Sequence, residues 1–325
     1  MSARPLNFAV VGYGQAATLL RAAFAAEPDV AFRWVVGRLP EPSAAFAQTH
    51  AIPHHTTDLT EALADDQIDT VIIATPHDLH FSQAYQALQA GKHVIVEVPM
   101  TLSYSEAQTL VESAEARGLL LSVPYISRYL DINIEAKQLI DSGSLGRIYQ
   151  LIYRRLWLQR NIGHMMNRKR SWVDTVAWHH AAHPIDLYMW LLGEPIECVG
   201  AIIGRDPVVG NETDLSANFI TPSGVLVTLS MSYNARQNYM DTLILGEEAV
   251  LELQGYATLK RQEETLVGPE DALMVQERAY GRYAAAVVAA LRSEAPVPVS
   301  GREVLSSMAQ LQRIHDLAAQ LEHAT

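Results

Sequence analysis

Five short and almost wholly apolar runs in the first 122 residues, each followed by an amphipathic stretch, most constrain how this chain folds. The runs are Leu6–Val11, Phe32–Val36, Thr70–Ala74, His93–Val96 and Leu119–Val123. Strands that are apolar on both faces are typical of a parallel sheet covered by helices. Gly91 and Gly118 stand where helices end, and Ser103 with Glu106 forms a capping-box pattern. The alternation predicts an α/β fold with a doubly wound parallel sheet over residues 1–122.

Beyond Gly143 the pattern changes to longer runs in which apolar and polar residues alternate. These runs are Arg147–Leu158, Ile196–Ile203, Asp214–Ile220, Val225–Tyr233, Tyr239–Leu245 and Ala249–Leu253. Turn sequences join several of them, which predicts hairpins. Two helices close the chain, and Ser300 with Glu303 caps the second. We therefore expect a second, α+β domain over residues 123–325 with a mostly antiparallel open sheet.

Composition excludes several classes of function. A chain of 325 residues is long enough for two domains, and its net charge of -12 argues against a nucleic-acid partner. No apolar run approaches the ~20 residues that cross a bilayer. Gly12 and Gly14 interrupt the only stretch that resembles a signal-peptide core. Cys198 is the single cysteine, so we expect a cytoplasmic protein without disulfides, membrane spans or nucleic-acid contacts.

The first strand runs directly into a G-x-G-x-x-A turn that opens a helix. Its residues are Gly12, Tyr13, Gly14, Gln15, Ala16 and Ala17. Glycines let the backbone approach a pyrophosphate, whose charge the helix N-terminus stabilises. The setting between strand and helix predicts a Rossmann dinucleotide site, with a merely tight structural turn as the alternative.

The second strand ends in Gly37-Arg38 rather than in an acidic residue. A carboxylate at this place usually accepts from the ribose 2′-hydroxyl of NAD. A small residue followed by a guanidinium instead leaves room and a bidentate partner for a 2′-phosphate. We expect NADP as the cofactor, with NAD as a possible second; the alternative is an exposed arginine that only begins a loop.

Several motifs occur together in a fixed order. They are Gly12–Ala17, Ala74-Thr75-Pro76 with His80, Ala90–Val94 leading to Glu97-Val98-Pro99, and His183 with Asp186 ahead of Leu192-Gly193. As a set they resemble the glucose–fructose oxidoreductase / inositol dehydrogenase (Gfo/Idh/MocA) family over nearly the whole chain. The resemblance implies hydride transfer at the edge of the Rossmann sheet and oligomer contacts through the second sheet, as a homodimer or homotetramer. It also implies cofactor contacts from Thr75, Pro76, His77, His80, Glu97 and Val98.

Two positions depart from the family pattern. Val98 stands where the family has a lysine near the reacting hydroxyl, and His179 stands where it commonly has aspartate. Both departures, with Arg170-Ser171-Trp172 and the run Trp178–His183, are similar to the bacterial 4-carboxy-2-hydroxymuconate-6-semialdehyde dehydrogenases. This resemblance implies NADP-dependent oxidation of a cyclic hemiacetal to 2-pyrone-4,6-dicarboxylate in aromatic catabolism.

Three histidines within five residues are the candidate catalytic groups. Alcohol oxidation needs a base for the hydroxyl proton, and imidazole titrates near neutral pH. His183 occupies the family's base position, while His179, one helical turn earlier, would orient it, bind substrate or share the proton. His180 is the third candidate. The alternatives are satisfied core histidines or a helical metal site, and we expect no metal because no further ligand pattern accompanies the run.

Residues 142–173 contain no Asp or Glu and seven basic residues, a local reversal of the chain's acidic balance. The basic residues are Arg147, Arg154, Arg155, Arg160, Arg168, Lys169 and Arg170. Guanidinium groups bind carboxylates bidentately, so a small anionic carbonyl or hemiacetal is the expected partner. The candidate substrate-binding residues are Tyr125, Arg128, Arg160, Arg170 and Trp172. A solvated strand, an oligomer contact and, for the tryptophan, a core position are the alternatives.

The sequence thus predicts an NADP-dependent dehydrogenase for a carboxylated cyclic hemiacetal. Two alternatives stay open. One is a dehydrogenase or reductase for another sugar, polyol or carbonyl compound. The other is a catalytically silent NADP-binding sensor, which the missing lysine at Val98 favours.

Overall fold

The computed structural model describes residues 4–159, 175–207 and 210–322. The chain divides into two compact units. The first comprises Met1–Ile126 and Glu277–Leu305, and the second comprises Ser127–Gln276 and Ser306–Thr325.

The first unit contains a six-stranded, wholly parallel sheet in the order β3-β2-β1-β4-β5-β6. Its strands are β1 (Leu6–Val11), β2 (Val30–Val36), β3 (His54–Thr56), β4 (Thr70–Ile73), β5 (His93–Val96) and β6 (Leu121–Ser122). Its early helices are α1 (Gln15–Ala25), α2 (Pro40–Thr49), α3 (Leu59–Leu63), α4 (His80–Gln89) and α5 (Tyr104–Glu115). The strand order reverses between β1 and β4, which is where ligands bind in sheets of this kind.

The predicted signals of the first unit act locally as expected. The Ser103 hydroxyl accepts the backbone N–H of Glu106 at the start of α5, and Gly91 adopts a left-handed φ of 74° after α4. The four residues of β4 are all buried, as expected for a central strand covered on both faces. The buried apolar strands therefore form the core of this unit.

Helix α8 (Ala272–Leu291) returns late in the sequence to the first unit. From Glu277 onward it belongs to this unit, where the fully buried Tyr283 packs edge-on against Phe24 of α1. The Tyr283 hydroxyl also lies 2.8 Å from Oγ of Ser122. The units consequently differ from the expected 1–122 and 123–325, because Glu277–Leu305 completes the first core rather than the second.

The second unit contains an eight-stranded sheet in the order β14-β13-β12-β11-β7-β10-β9-β8. Its strands are β7 (Ile148–Leu158), β8 (Glu197–Arg205), β9 (Glu212–Ile220), β10 (Leu226–Ser232), β11 (Asn234–Gly246), β12 (Val250–Gln254), β13 (Thr258–Arg261) and β14 (Glu264–Val267). All neighbours are antiparallel except β7 and β10, which run parallel. The expected mostly antiparallel sheet is confirmed.

Three helical segments accompany this sheet. They are α6 (Asp131–Asp141), a π-helical turn (Val176–Ala181) that continues into α7 (Ala182–Leu192), and α9 (Gly301–Glu322), whose residues after Leu305 belong to the second unit. In α9 the predicted apolar positions Val304, Met308, Leu311 and Ile314 are fully buried. No helix in the described parts of the chain is long and apolar enough to span a bilayer.

Candidate active site

The cofactor-site residues of the first unit follow the carboxyl ends of adjacent strands. Val11 of β1 pairs with Ile73 of β4, which pairs with Val96 of β5. The loops that begin at Gly12, Ala74 and Glu97 therefore start side by side at one sheet edge. This is the edge at which a doubly wound sheet binds its ligand.

Gly12 and Gly14 have different roles in the turn after β1. At Gly12, φ is 112° and a Cβ would lie 2.2 Å from the carbonyl oxygen of Ala74, so only glycine fits. At Gly14, a Cβ would meet no atom within 4 Å, and no described side chain caps α1 there. The N-terminus of α1, which begins at Gln15 and Ala16, is thus open to an anion, as a pyrophosphate requires.

The loop after β2 is closed around Gly37. A Cβ at Gly37 would lie 2.3 Å from a ring carbon of Tyr13 and 2.3 Å from Oγ of Ser43. Ser43 is buried and donates to the Leu39 carbonyl at 2.7 Å. The side chain of Arg38 is exposed. Tyr13 was not among the expected site residues, although it stands between the two glycines of the turn.

His80 has a different position from the expected one. Its side chain is fully buried, with Nε2 2.9 Å from the Thr75 carbonyl oxygen and Nδ1 2.8 Å from the Pro99 carbonyl oxygen. It joins the loop after β4 to the loop after β5. The buried ring thus positions the two loops, and the expected direct cofactor contact of His80 stays a prediction.

The other expected cofactor residues lie on these same two loops. Thr75 donates from Oγ1 to Gln83 at 2.6 Å, and Pro76 precedes the single turn that begins at His77. Glu97 accepts the backbone N–H of Val98 at 3.0 Å, and the Val98 side chain is buried. The peptide bond between Val98 and Pro99 is cis. Val98 therefore presents an apolar, buried side chain at the position of the family's lysine.

The three histidines of the second unit lie on and after the π-helical turn. Thr175 caps the turn by accepting the backbone N–H of Trp178 at 3.2 Å. The rings of His179 and His180 are 4.1 Å apart, and those of His179 and His183 are 6.1 Å apart. The expected regular α-helical spacing is corrected here, because the π turn widens the helix before His183. All three histidines are partly exposed while their neighbours are buried, unlike core histidines.

His180 has a fixed environment that the sequence did not indicate. Its Nδ1 lies 2.6 Å from the hydroxyl of Tyr233, a fully buried residue 53 positions away. Trp157 of β7 contacts both rings edge-on, at 4.7 Å from each. The Arg155 guanidinium in turn lies 4.5 Å from the centroid of the Trp157 ring. The contact with the phenol fixes the orientation of the His180 ring.

A second cluster, formed by Trp178, His315 and Glu212, packs against the π turn. The Trp178 ring stacks on His315 of α9 at 4.9 Å, and His315 Nε2 lies 3.2 Å from Oε1 of Glu212. Burial lowers the pKa of His315, but the nearby Glu212 carboxylate and the hydrogen bond to the Leu311 carbonyl raise it above the ordinary value. The stacked ring of His315 therefore holds Trp178 in place.

The expected anion-binding residues divide into three groups. Arg128 donates from Nε and Nη2 to both carboxylate oxygens of Asp186, at 2.8 and 2.7 Å, and Tyr125 is fully buried. Arg154 is paired with Asp241 through two bonds. Arg160, Arg170 and Trp172 lie outside the described residues. Arg128 thus joins the turn before α6 to α7, and the sequence did not indicate this pairing with Asp186.

The described residues contain no group of three or more His, Cys, Asp and Glu side chains that could hold a metal ion. The histidine cluster contains partly exposed imidazoles, a buried phenol and a guanidinium. These groups transfer protons and bind anions.

Comparison with known proteins agrees with both units. Residues 6–125 match the model of an oxidoreductase family with an NAD-binding Rossmann fold, and residues 125–244 match the model of the C-terminal domain of bacterial oxidoreductases. The chain belongs to this Gfo/Idh/MocA oxidoreductase family.

Relatives of this family member include enzymes with different substrates. One is 4-carboxy-2-hydroxymuconate-6-semialdehyde dehydrogenase of Sphingobium sp. (strain NBRC 103272 / SYK-6), 32% identical over 62% of this chain. The match spans 63% of that relative's length. Another is scyllo-inositol 2-dehydrogenase (NADP(+)) IolW of Bacillus subtilis (strain 168), 34% identical over 42% of this chain and 38% of the relative. Levoglucosan dehydrogenase, solved with NADH and levoglucosan, shares the fold with a TM-score of 0.85 at 21% identity over 98% of both chains.

Proposed function

We propose that this chain is an NADP-dependent dehydrogenase that oxidises a small, flat, carboxylated cyclic hemiacetal. The single observation that carries the proposal is the group of three partly exposed histidines, of which His180 contacts Tyr233 and Trp157. The guanidinium of Arg155 lies over the same Trp157 ring. A base and an anion-binding group then lie in one neighbourhood of the second unit. The similarity to the Sphingobium enzyme supports 4-carboxy-2-hydroxymuconate-6-semialdehyde hemiacetal as the substrate and 2-pyrone-4,6-dicarboxylate as the product.

The proposed roles in the first unit concern cofactor binding. The N-terminus of α1 at Gly14 holds the pyrophosphate, and Arg38 beside Gly37 binds a 2′-phosphate. His80 keeps the loops after β4 and β5 in fixed positions. When bound, NADP supplies the hydride acceptor.

The proposed roles in the second unit concern the proton. As the lactol carbon loses hydride, its hydroxyl proton passes to His183, and the new carbonyl completes the lactone. His179, whose ring centroid lies 6.1 Å from that of His183, orients His183, binds substrate or shares the proton, and His180 is oriented by Tyr233. Val98 is apolar and buried, so no lysine takes part at its position.

A second candidate function is oxidation of a sugar or polyol. The NADP-dependent scyllo-inositol 2-dehydrogenase, a relative over the cofactor half, favours it. The two substrate classes differ in charge: a carboxylated hemiacetal is an anion, whereas a polyol is neutral and needs no anion-binding group. NADP binding without turnover of either substrate class would instead identify a sensor.

The decisive test replaces His183 by Asn and measures NADPH formation from the protocatechuate 4,5-cleavage product. Positioned base catalysis contributes about 100- to 10,000-fold, so kcat should fall by that order while NADP affinity stays near that of the unaltered protein. His179→Asn should cost less. A His183→Asn variant with near-normal kcat would contradict the assignment of the base.

The oligomer and the compartment belong to the same proposal. We expect a homodimer or homotetramer through the open face of the eight-stranded sheet. We place the reaction in the cytoplasm, because a chain with a single cysteine, Cys198, forms no intrachain disulfide.

A further inference from the structure

We propose that Arg155 binds a carboxylate of the substrate and thereby selects planar ring carboxylates over neutral rings. The inference rests on the proposed function and adds the residue that gives it specificity. Arg155 stands in the basic segment of the sequence, but no local signal distinguishes it from its neighbours there.

The geometry of β7 separates Arg155 from the adjacent Arg154. Successive side chains of a strand point to opposite faces, so Tyr153, Arg155 and Trp157 share one face. On that face Tyr153 contacts Tyr188 of α7, and Trp157 contacts His180 of the π turn. Arg155 lies between them in sequence and therefore faces the same helical segment as the histidines.

Within the described parts of the chain, the partners of Arg155 leave its charge without a counterion. Its Nη1 donates to the side-chain oxygen of Asn238 and lies 3.5 Å from the Tyr239 carbonyl oxygen, and its guanidinium covers the Trp157 ring. All three partners are neutral. By contrast, Arg154 and Arg128 are each paired with a carboxylate of the chain. Among the described residues of this neighbourhood, Arg155 is the guanidinium without such a carboxylate.

A partly buried, uncompensated guanidinium is stabilised by an external anion. The neutral contacts to Asn238 and Trp157 hold the planar group in one orientation, which lowers the entropy lost on binding. Because Arg155 and His180 both contact Trp157, a single small ring is able to present its carboxylate to one and its hydroxyl to the histidine cluster.

The test measures ligand binding rather than turnover. Isophthalate, a planar ring with two carboxylates in meta relation, is compared by calorimetry with its neutral analogue isophthalamide. Arg155→Gln should raise the Kd of isophthalate about tenfold to hundredfold, the equivalent of one lost charged hydrogen bond, and leave that of isophthalamide unchanged. Arg155→Lys keeps the charge but loses the bidentate guanidinium, so its Kd for isophthalate should lie between those of the unaltered protein and Arg155→Gln.

Arg147→Gln is the matched control, because Arg147 immediately precedes β7 and its guanidinium likewise lies over the aromatic ring two positions later, 5.6 Å from the centroid of Tyr149. It should bind both ligands as the unaltered protein does. The proposal is overturned if Arg155→Gln and Arg155→Lys bind isophthalate normally, if both ligands weaken equally, or if the unaltered protein binds no isophthalate with or without NADPH. Isophthalate binding through Arg155 without NADPH formation from the ring-cleavage product would leave this anion site standing and reject the proposed reaction.

Discussion

At the scale of single residues, the lack of space around Gly37 limits which substitutions can test the preference between NADP and NAD. A carboxylate that accepts from the NAD ribose would stand at the end of β2, but a side chain at Gly37 collides with Tyr13 and with Ser43. Ser43 is fixed by its bond to the Leu39 carbonyl. Substituting Gly37 alone therefore disturbs the turn before it adds a ribose ligand. The exposed Arg38 is the position that changes charge without collision.

The first prediction is that Arg38→Asp reverses the preference between NADP and NAD. The substitution removes the guanidinium partner of the 2′-phosphate and adds a repelling carboxylate. Without this charged hydrogen bond NADPH should bind more weakly by about 1.5–3 kcal/mol, and NADH affinity should be retained or improve. Fluorescence titration with NADPH and NADH measures both. Arg4→Asp, at the opposite, amino end of β1, is the control, and an unchanged ratio in Arg38→Asp would make Arg38 a bystander.

The second prediction concerns His80, whose ring joins two loops without reaching the surface. His80→Ala removes both contacts to the Thr75 and Pro99 carbonyl oxygens, so the unfolding free energy should fall by about 1–3 kcal/mol and the Kd of NADPH should rise. His55→Ala, on the exposed strand β3, should change neither quantity. A normal Kd for NADPH in a destabilised His80→Ala protein would reject the positioning role.

At the scale of elements, the sequence predicts those strands whose residues are buried on both faces. β1 and β5 begin and end at the predicted residues, because a strand buried on both faces is apolar throughout. The short β3 is largely exposed and carries two histidines, so no apolar run indicated it. Strands β13 and β14 were missed for the same reason, since their residues are mainly polar and partly exposed.

The candidate site was predictable only where its residues are close in sequence. The turn at Gly12 and the histidine run are local motifs, and both stand in the structure on the elements expected to carry them. The pairing of His180 with Tyr233 and that of Arg128 with Asp186 span 53 and 58 positions. One sequence contains no signal for contacts that tertiary packing creates. The π turn was likewise hidden, because apolar spacing does not distinguish it from an α-helical turn.

The third prediction is a pH dependence of stability that arises from His315. The pKa of His315 is raised in the folded protein, so protonated His315 stabilises the fold. This stabilisation is fully present below the unfolded pKa of about 6.5 and is lost as pH rises through the folded pKa. The thermal midpoint of the unaltered protein should therefore fall over this range more than that of His315→Gln. Calorimetric scans from acid to alkaline pH compare the two proteins. Parallel profiles would show that the pairing with Glu212 does not contribute.

At the scale of the whole molecule, the eight-stranded sheet presents apolar side chains to solvent. Val199, Ile202 and Leu226 are 58%, 63% and 49% exposed. Extended exposed apolar surface on a sheet is typical of a protein interface. The fourth prediction is that the protein elutes as a dimer or tetramer and that Ile202→Lys shifts it toward the monomer in light scattering. Leu273→Lys, at an exposed position on α8, should not; a monomeric unaltered protein would contradict the prediction.

The discontinuous first unit has a consequence for how the chain acquires its structure during translation. All strands of the parallel sheet have been synthesised once the ribosome reaches Ser122. Helix α8, whose Tyr283 packs against Phe24 and contacts the Ser122 hydroxyl, is synthesised much later. Part of the apolar core of the first unit therefore stays exposed while the whole second sheet is synthesised. Chaperone occupancy on ribosome-bound chains should accordingly persist past the end of β14 and decline only after α8 has left the exit tunnel.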